Sequence, residues 1–157
     1  MTPAPDDRSP RPTPRPADGS LPSPAELTAI TEGRLPGLLG LTVVRVEATE
    51  IEATMPVTPL HLAPNGYLHA ATVVALADTA CGLGCRLTLP ADASGFTTLE
   101  QKTSHIGTAR EGTIRVVARL AHGGRRVQVW DATVTHGERE IALFRCTQLV
   151  LRETPAP

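Results

Sequence analysis

Between His69 and Cys85 only one side chain carries a formal charge, the carboxylate of Asp78. The residues around it are small and apolar. A carboxylate held in such surroundings can act as a general base for water or attack an electrophilic carbon itself. Its position breaks two local rules. Burying an ionised carboxylate is costly unless it is paired or hydrogen-bonded, and Asp is a mediocre helix former. Such breaks are expected at functional or strained sites. The alternative is a carboxylate that only reaches a backbone amide or an arginine from a strand. A second feature lies just upstream. Pro64-Asn65-Gly66 predicts a tight turn, and His69-Ala70-Ala71 opens a helix. The first N–H groups of a helix have no internal partner and sit at the positive end of its dipole. The Ala70 amide is therefore the candidate donor to an oxyanion. The small side chains of Ala70 and Ala71 let a substrate approach the backbone. His69 either orients that substrate and the turn holding it, or only satisfies backbone groups at the helix start.

These two features cannot serve one carbonyl within one chain. Eight residues separate Ala70 from Asp78, roughly 12 Å along a helix. If they act together, Asp78 of one protomer must meet the helix N-terminus of another. Two helices antiparallel across a two-fold axis satisfy this and give two equal sites. The reading therefore predicts an obligate homodimer.

The elements that must position these residues follow from pattern. Ser23 and Pro24 predict the cap and first turn of a short helix. Residues 41–46 and 50–57 read as strands, with a turn between them. Residues 68–86 read as one helix, weakened by Gly82 and Gly84 and ended before Pro90. It has no charged face, so it should be enclosed nearly all round, a curved sheet wrapping most of it and a partner subunit covering what remains. Residues 96–106, 113–122, 126–135 and 139–151 read as strands. The last three are joined by short turns, which predicts an antiparallel meander. The expected class is α+β: a curved antiparallel sheet of five or six strands around one helix.

The run His61-Leu-Ala-Pro-Asn-Gly-Tyr-Leu-His-Ala-Ala, followed by Leu76-Ala-Asp-Thr-Ala-Cys-Gly, resembles the hotdog-fold thioesterases of the phenylacetate-degradation (PaaI-like) type. Gly66, His69 and Asp78 fall on that family's pattern of Gly, His and an acidic residue nine positions after the His. Thr98-Leu-Glu-Gln-Lys102 resembles its following strand. The resemblance covers residues 35–151. It implies a hotdog fold, dimers often paired into tetramers, and metal-free hydrolysis of acyl-CoA thioesters that needs no cofactor. It implies that Asp78 is nucleophile or general base and that the amide after His69 supplies the oxyanion hole of the other subunit. His69 would then orient the thioester. Two positions differ: Ala70-Ala71 stand where the family has Gly-Gly, and Ala63 stands where it has Asn. Asn65 is the residue nearest to that role. Thr79, next to the carboxylate, and Gly82, one turn on, either touch substrate or serve helix packing and space. A second function of another class is a non-catalytic acyl-CoA-binding hotdog protein, a sensor or regulator. The acyl group expected is aryl or short to medium chain.

Composition narrows the classes further. Net charge is -1 and aromatics are 3%, which gives no electrostatic footprint for nucleic acid or membrane and no base-stacking platform. Three cysteines make no disulfide framework. Cys81, Cys85 and Cys146 read as small core residues. No apolar run reaches the ~18–20 residues of a membrane span, and no secretory leader is legible, so a cytoplasmic protein is expected. Eight of the fifteen prolines lie in residues 1–24. Residues 1–22 therefore read as a disordered tail, 23–152 as one domain and 153–157 as a flexible end. The scattered histidines show no metal-ligand spacing. Arginine suits phosphate, so Arg110 and Arg125 in predicted turns are candidates for CoA phosphates, or are ordinary solvated turn residues.

Overall fold

The computed structural model describes residues 20–152. The expectations for the N-terminal tail and the C-terminal end concern mainly residues 1–19 and 153–157, outside the described residues. Ser23 caps α1 (Pro24–Ala29) in a full capping box: its Oγ accepts from the Glu26 N–H, and the Glu26 carboxylate accepts from the Ser23 N–H at 2.7 Å. That reciprocal pair satisfies two amides that would otherwise have no partner. A single turn, α2 (Leu35–Leu38), leads into β1 (Thr42–Glu47) and β2 (Glu50–Pro56). The central helix α3 (Ala70–Leu87) follows. Then come β3 (Gly95–His105), β4 (Thr113–Gly123), β5 (Val127–His136) and β6 (Arg139–Leu151).

The six strands form one antiparallel sheet in the order β1-β2-β4-β5-β6-β3. The meander β4-β5-β6 is as expected from the short turns. Strand β3 crosses over to the far side of β6 and forms an edge. Alternation turns one residue in two toward α3: Ile51, Ala53 and Met55 on β2, Ile114, Val116 and Ala118 on β4, Gln128, Trp130, Ala132 and Val134 on β5, and Ala142, Phe144, Cys146, Gln148 and Val150 on β6. The curved sheet around a single long helix is the hotdog arrangement implied by the resemblance.

Two sequence expectations are set against the single chain. First, its own sheet does not enclose helix α3 nearly all round. Ala70 and Ala71 are exposed, and Val74, Ala75, Asp78, Thr79, Gly82 and Arg86 form a partly open stripe. The sheet covers only the faces carrying Val73, Leu76, Ala77, Ala80 and Cys81. Second, among the described residues one segment is long and apolar enough by composition to cross a membrane, and it is α3 itself, with 18 residues. The sheet explains that composition, because charge would be as costly against strand side chains as in lipid.

Helix and sheet meet most closely where Gly84 faces Trp130. A Cβ built on Gly84 would lie 2.4 Å from the Trp130 ring. The indole is wholly buried and its Nε1 donates to Gln128 Oε1 at 3.0 Å. The Gln128 Nε2 donates in turn to the Thr88 carbonyl at the end of α3. Gly84→Ala should therefore cost about 1–3 kcal/mol by overpacking. Urea unfolding would show it, and a neutral result would mean that the helix can shift on the sheet.

Candidate active site

The loop before α3 is built around a buried imidazole. His61 Nδ1 accepts from the Thr58 N–H at 3.0 Å, which makes Nε2 the protonated nitrogen; Nε2 donates to the Leu39 carbonyl at 2.9 Å. The His61 carbonyl accepts from the His69 N–H at 2.9 Å and the Thr72 hydroxyl at 3.2 Å. One residue thus ties the end of α2, the loop and the first turn of α3. Sequence reading passed over it, and its only signal was a histidine within an apolar stretch.

The turn itself is closed by the Gly66 N–H donating to the Ala63 carbonyl at 2.8 Å. Gly66 adopts φ +77°, where a side chain would be strained. Asn65 Oδ1 accepts from the Tyr67 N–H at 3.2 Å, so this side chain braces the turn. His69 is the N-cap of α3: Nδ1 accepts from the Ala71 N–H at 3.0 Å. The structure thereby shows His69 satisfying the backbone and takes Ala71 out of play as a donor. The Ala70 N–H donates to no acceptor among the described residues. It is exposed and at the positive end of an 18-residue helix. The Leu68 N–H donates to the Ala109 carbonyl at 3.0 Å, and the Arg110 guanidinium lies 4.2 Å from the centroid of the Tyr67 ring. A cation is therefore held close to the start of α3.

Two turns further on, Asp78 opens into a hollow of about 250 Å³ with Thr79, Gly82, Leu83, Arg86, Ile30, Phe96 and Thr98 in its wall. Burial pushes the Asp78 carboxyl above its ordinary range, while the nearby Thr98 hydroxyl pulls the other way. Oδ1 is buried with no hydrogen-bond partner among the described residues. Burial also draws the Arg86 guanidinium down. Gly82 leaves space for the Phe96 ring, 3.5 Å from where its Cβ would be.

The predicted residues therefore fall into two groups in one chain. Asn65, Gly66, His69, Ala70, Ala71 and Arg110 gather at the start of α3. Asp78, Thr79 and Gly82 gather at its middle. Arg125 joins neither group. It lies beyond the far end of the 11-residue strand β4, roughly 35 Å from Arg110, and its carbonyl accepts from Arg152 Nη2. Thr98 and Phe96 were missed as lining of the hollow: they lie on one face of β3 before its bulge, and that this face meets the helix depends on the pairing of β3 with β6. Cys81, Cys85 and Cys146 are buried free thiols, as read. Burial pushes the Cys85 thiol up to about 12.

Comparison with known proteins gives the family. Residues 65–142 match the thioesterase superfamily, spanning both the turn and Asp78. A 1,4-dihydroxy-2-naphthoyl-CoA hydrolase of Escherichia coli is 32% identical over 108 residues, 69% of this chain and 79% of the relative. The chain belongs to the thioesterase superfamily. The proofreading thioesterase EntH of Cronobacter turicensis is 32% identical over 69% of this chain and 78% of its own. A crystal structure of a mutant thioesterase from Pseudomonas aeruginosa superposes with a TM-score of 0.81 at 27% identity, covering 85% of this chain and 97% of that one. A phenylacetic acid degradation-related protein of Ralstonia eutropha gives 0.68 at 26%, covering 85% and 95%.

The raised Asp78 pKa has a consequence for stability. Ionising this carboxyl costs the native state more than the unfolded chain. The cost is absent below the unfolded carboxyl pKa of about 3.9 and fully present above the raised native value. Asp78→Asn should therefore raise Tm at pH 7 and leave it unchanged near pH 3. Thermal melts of both proteins across pH check this; equal Tm values at pH 7 would contradict it.

Proposed function

We propose that this thioesterase-superfamily protein hydrolyses acyl-CoA thioesters to free acid and CoA, at a site shared between two protomers. The observation that carries the reading is the pair formed by an under-bonded, desolvated Asp78 and a free helix-start amide at Ala70. The Ala70 N–H binds the thioester oxygen and favours the negative charge that develops there. Asp78 takes a proton from water as the water attacks the carbonyl carbon; alternatively it attacks that carbon itself, and water opens the resulting anhydride. In the first route the C–S bond breaks and the sulfur takes the proton held by Asp78; in the second CoA leaves as thiolate and is protonated from the water that opens the anhydride. His69 acts by holding the first turn of α3 in register through its bond to Ala71.

Several observations support sharing between protomers. Ala70 and Asp78 are roughly 12 Å apart along one helix. The partly open stripe of α3 carries Asp78 and Thr79. Strand β3 is an 11-residue edge without proline, and Leu99 on it is 58% exposed. Such an edge invites pairing with another strand. The homodimer, or a tetramer of such dimers, follows from this reading. Ile30, Leu83 and Phe96 make the hollow suited to an aryl or short to medium acyl group. The naphthoyl-CoA substrate named for the Escherichia coli relative supports the aryl choice. Arg110, beside Tyr67, is the candidate for a CoA phosphate.

Thiol release from acetyl-, hexanoyl-, decanoyl-, palmitoyl-, benzoyl- and phenylacetyl-CoA tests the proposal. Asp78→Asn should lower turnover by several orders of magnitude. Ala70→Pro removes one N–H at a helix position that tolerates proline, and His69 before it is already extended at ψ 134°. It should fold normally and lose about 10²–10³ in kcat. Dimers mixed from the two variants should regain activity, since one of their two sites is then intact. Mixed dimers as inactive as the parents would exclude a shared site. No turnover of any thioester by the native protein would favour the acyl-CoA-binding reading.

A further inference from the structure

Gln148 is a fully buried amide in an otherwise apolar inward row of β6. It lies directly opposite Thr98 in the β3–β6 register. The Thr98 hydroxyl donates to Gln148 Oε1 at 3.0 Å, and Gln148 Nε2 donates to Cys146 Sγ at 3.3 Å. Thr98 also lines the hollow beside Asp78. A hydroxyl has one proton. Given to Gln148, that proton is withheld from the carboxylate, whose Oδ1 is buried without a partner.

From this geometry we infer that Gln148 is a positioning residue for Asp78: its amide oxygen competes for the Thr98 proton and keeps the carboxylate under-bonded and basic. The role in catalysis rests on the proposed function; the competition itself does not. A carboxylate that accepts fewer hydrogen bonds is a stronger base, and a general base works best when its pKa lies near the working pH. Among the described residues, the other ionisable groups facing Asp78 are few. On α3 they are Cys81 and Arg86, and on β6 Cys146. The lining residues from α1 and β3 are Ile30, Phe96 and Thr98, none of them charged. Asp131 on β5 is paired with Arg145 on the outer face. The Cys81 thiol is pushed well up by its bond to Cys146 and by burial, so it stays neutral while Asp78 titrates.

The direct test is a 13C NMR titration of the Asp78 carboxyl, assigned with Asp78→Asn and run without substrate. Thr98→Val removes the share of that proton that still reaches the carboxylate and should raise the Asp78 pKa. Gln148→Leu frees the Thr98 proton for the carboxylate and should lower it. Each shift should be about 0.5–1 unit, or three- to tenfold in the protonation constant. Gln148→Met repeats the test should the leucine variant fold poorly. Gln148→Leu should have no effect in the Thr98→Val background, and Thr98→Ser should keep the native value. Shifts of the same sign in the two single variants, or none with Gln148→Leu and Gln148→Met, would overturn the inference. The acid limb of the kcat/KM profile should move with the NMR values. If the NMR shifts appear and no thioester is hydrolysed, the hydrogen-bond competition stands and the proposed function fails.

Discussion

The constraint on which the rest depends is the burial of an 18-residue helix that is apolar on nearly every face. Such a helix is stable in water only where other side chains take the place of solvent. The six-stranded sheet supplies them through inward residues on five strands, from Ile51 on β2 across to Phe96 on β3 at the other edge. The sheet leaves one stripe of the helix partly open, and Asp78 lies in it. The carboxylate is thus dry enough for its basicity to rise and open enough for a substrate to reach it. Both properties come from how far the sheet wraps.

A second consequence concerns the helix start. The first amides of α3 need partners, and the chain answers this unevenly. His69 satisfies Ala71, and the His61 carbonyl satisfies His69. Ala70 is left open. The loop around it is held by backbone and imidazole bonds running back to Leu39 and Thr58. This donor therefore sits on a fixed support, where little reorganisation is needed when charge develops nearby.

Much of this was legible in the sequence. Every strand and the long helix follow from alternation and turn residues, with ends within two residues of those observed. Asp78 stood out because it is the one charge in its segment. What could not be read depends on pairing between distant segments. Thr98 faces inward because it pairs with the inward Gln148, and that register is a property of two strands together. Nothing near Arg125 tells that it lies at the end of β4 away from Arg110. Gln148 did leave a trace, as the one amide in the alternating row Ala142, Phe144, Cys146, Val150. How much of α3 its own sheet covers was not legible, because a missing charged face says that water is excluded but not by what.

The contact between Gly84 and Trp130 ties two positions 46 residues apart in the chain. With the indole in place, no side chain fits at 84; with a methyl at 84, the ring must move or shrink. Neither residue can therefore drift alone. Among homologous chains that keep this helix-to-sheet spacing, a larger residue at the position of Gly84 should coincide with a smaller one at that of Trp130. The pair forms a single inherited unit of size, recorded in two distant letters of the sequence.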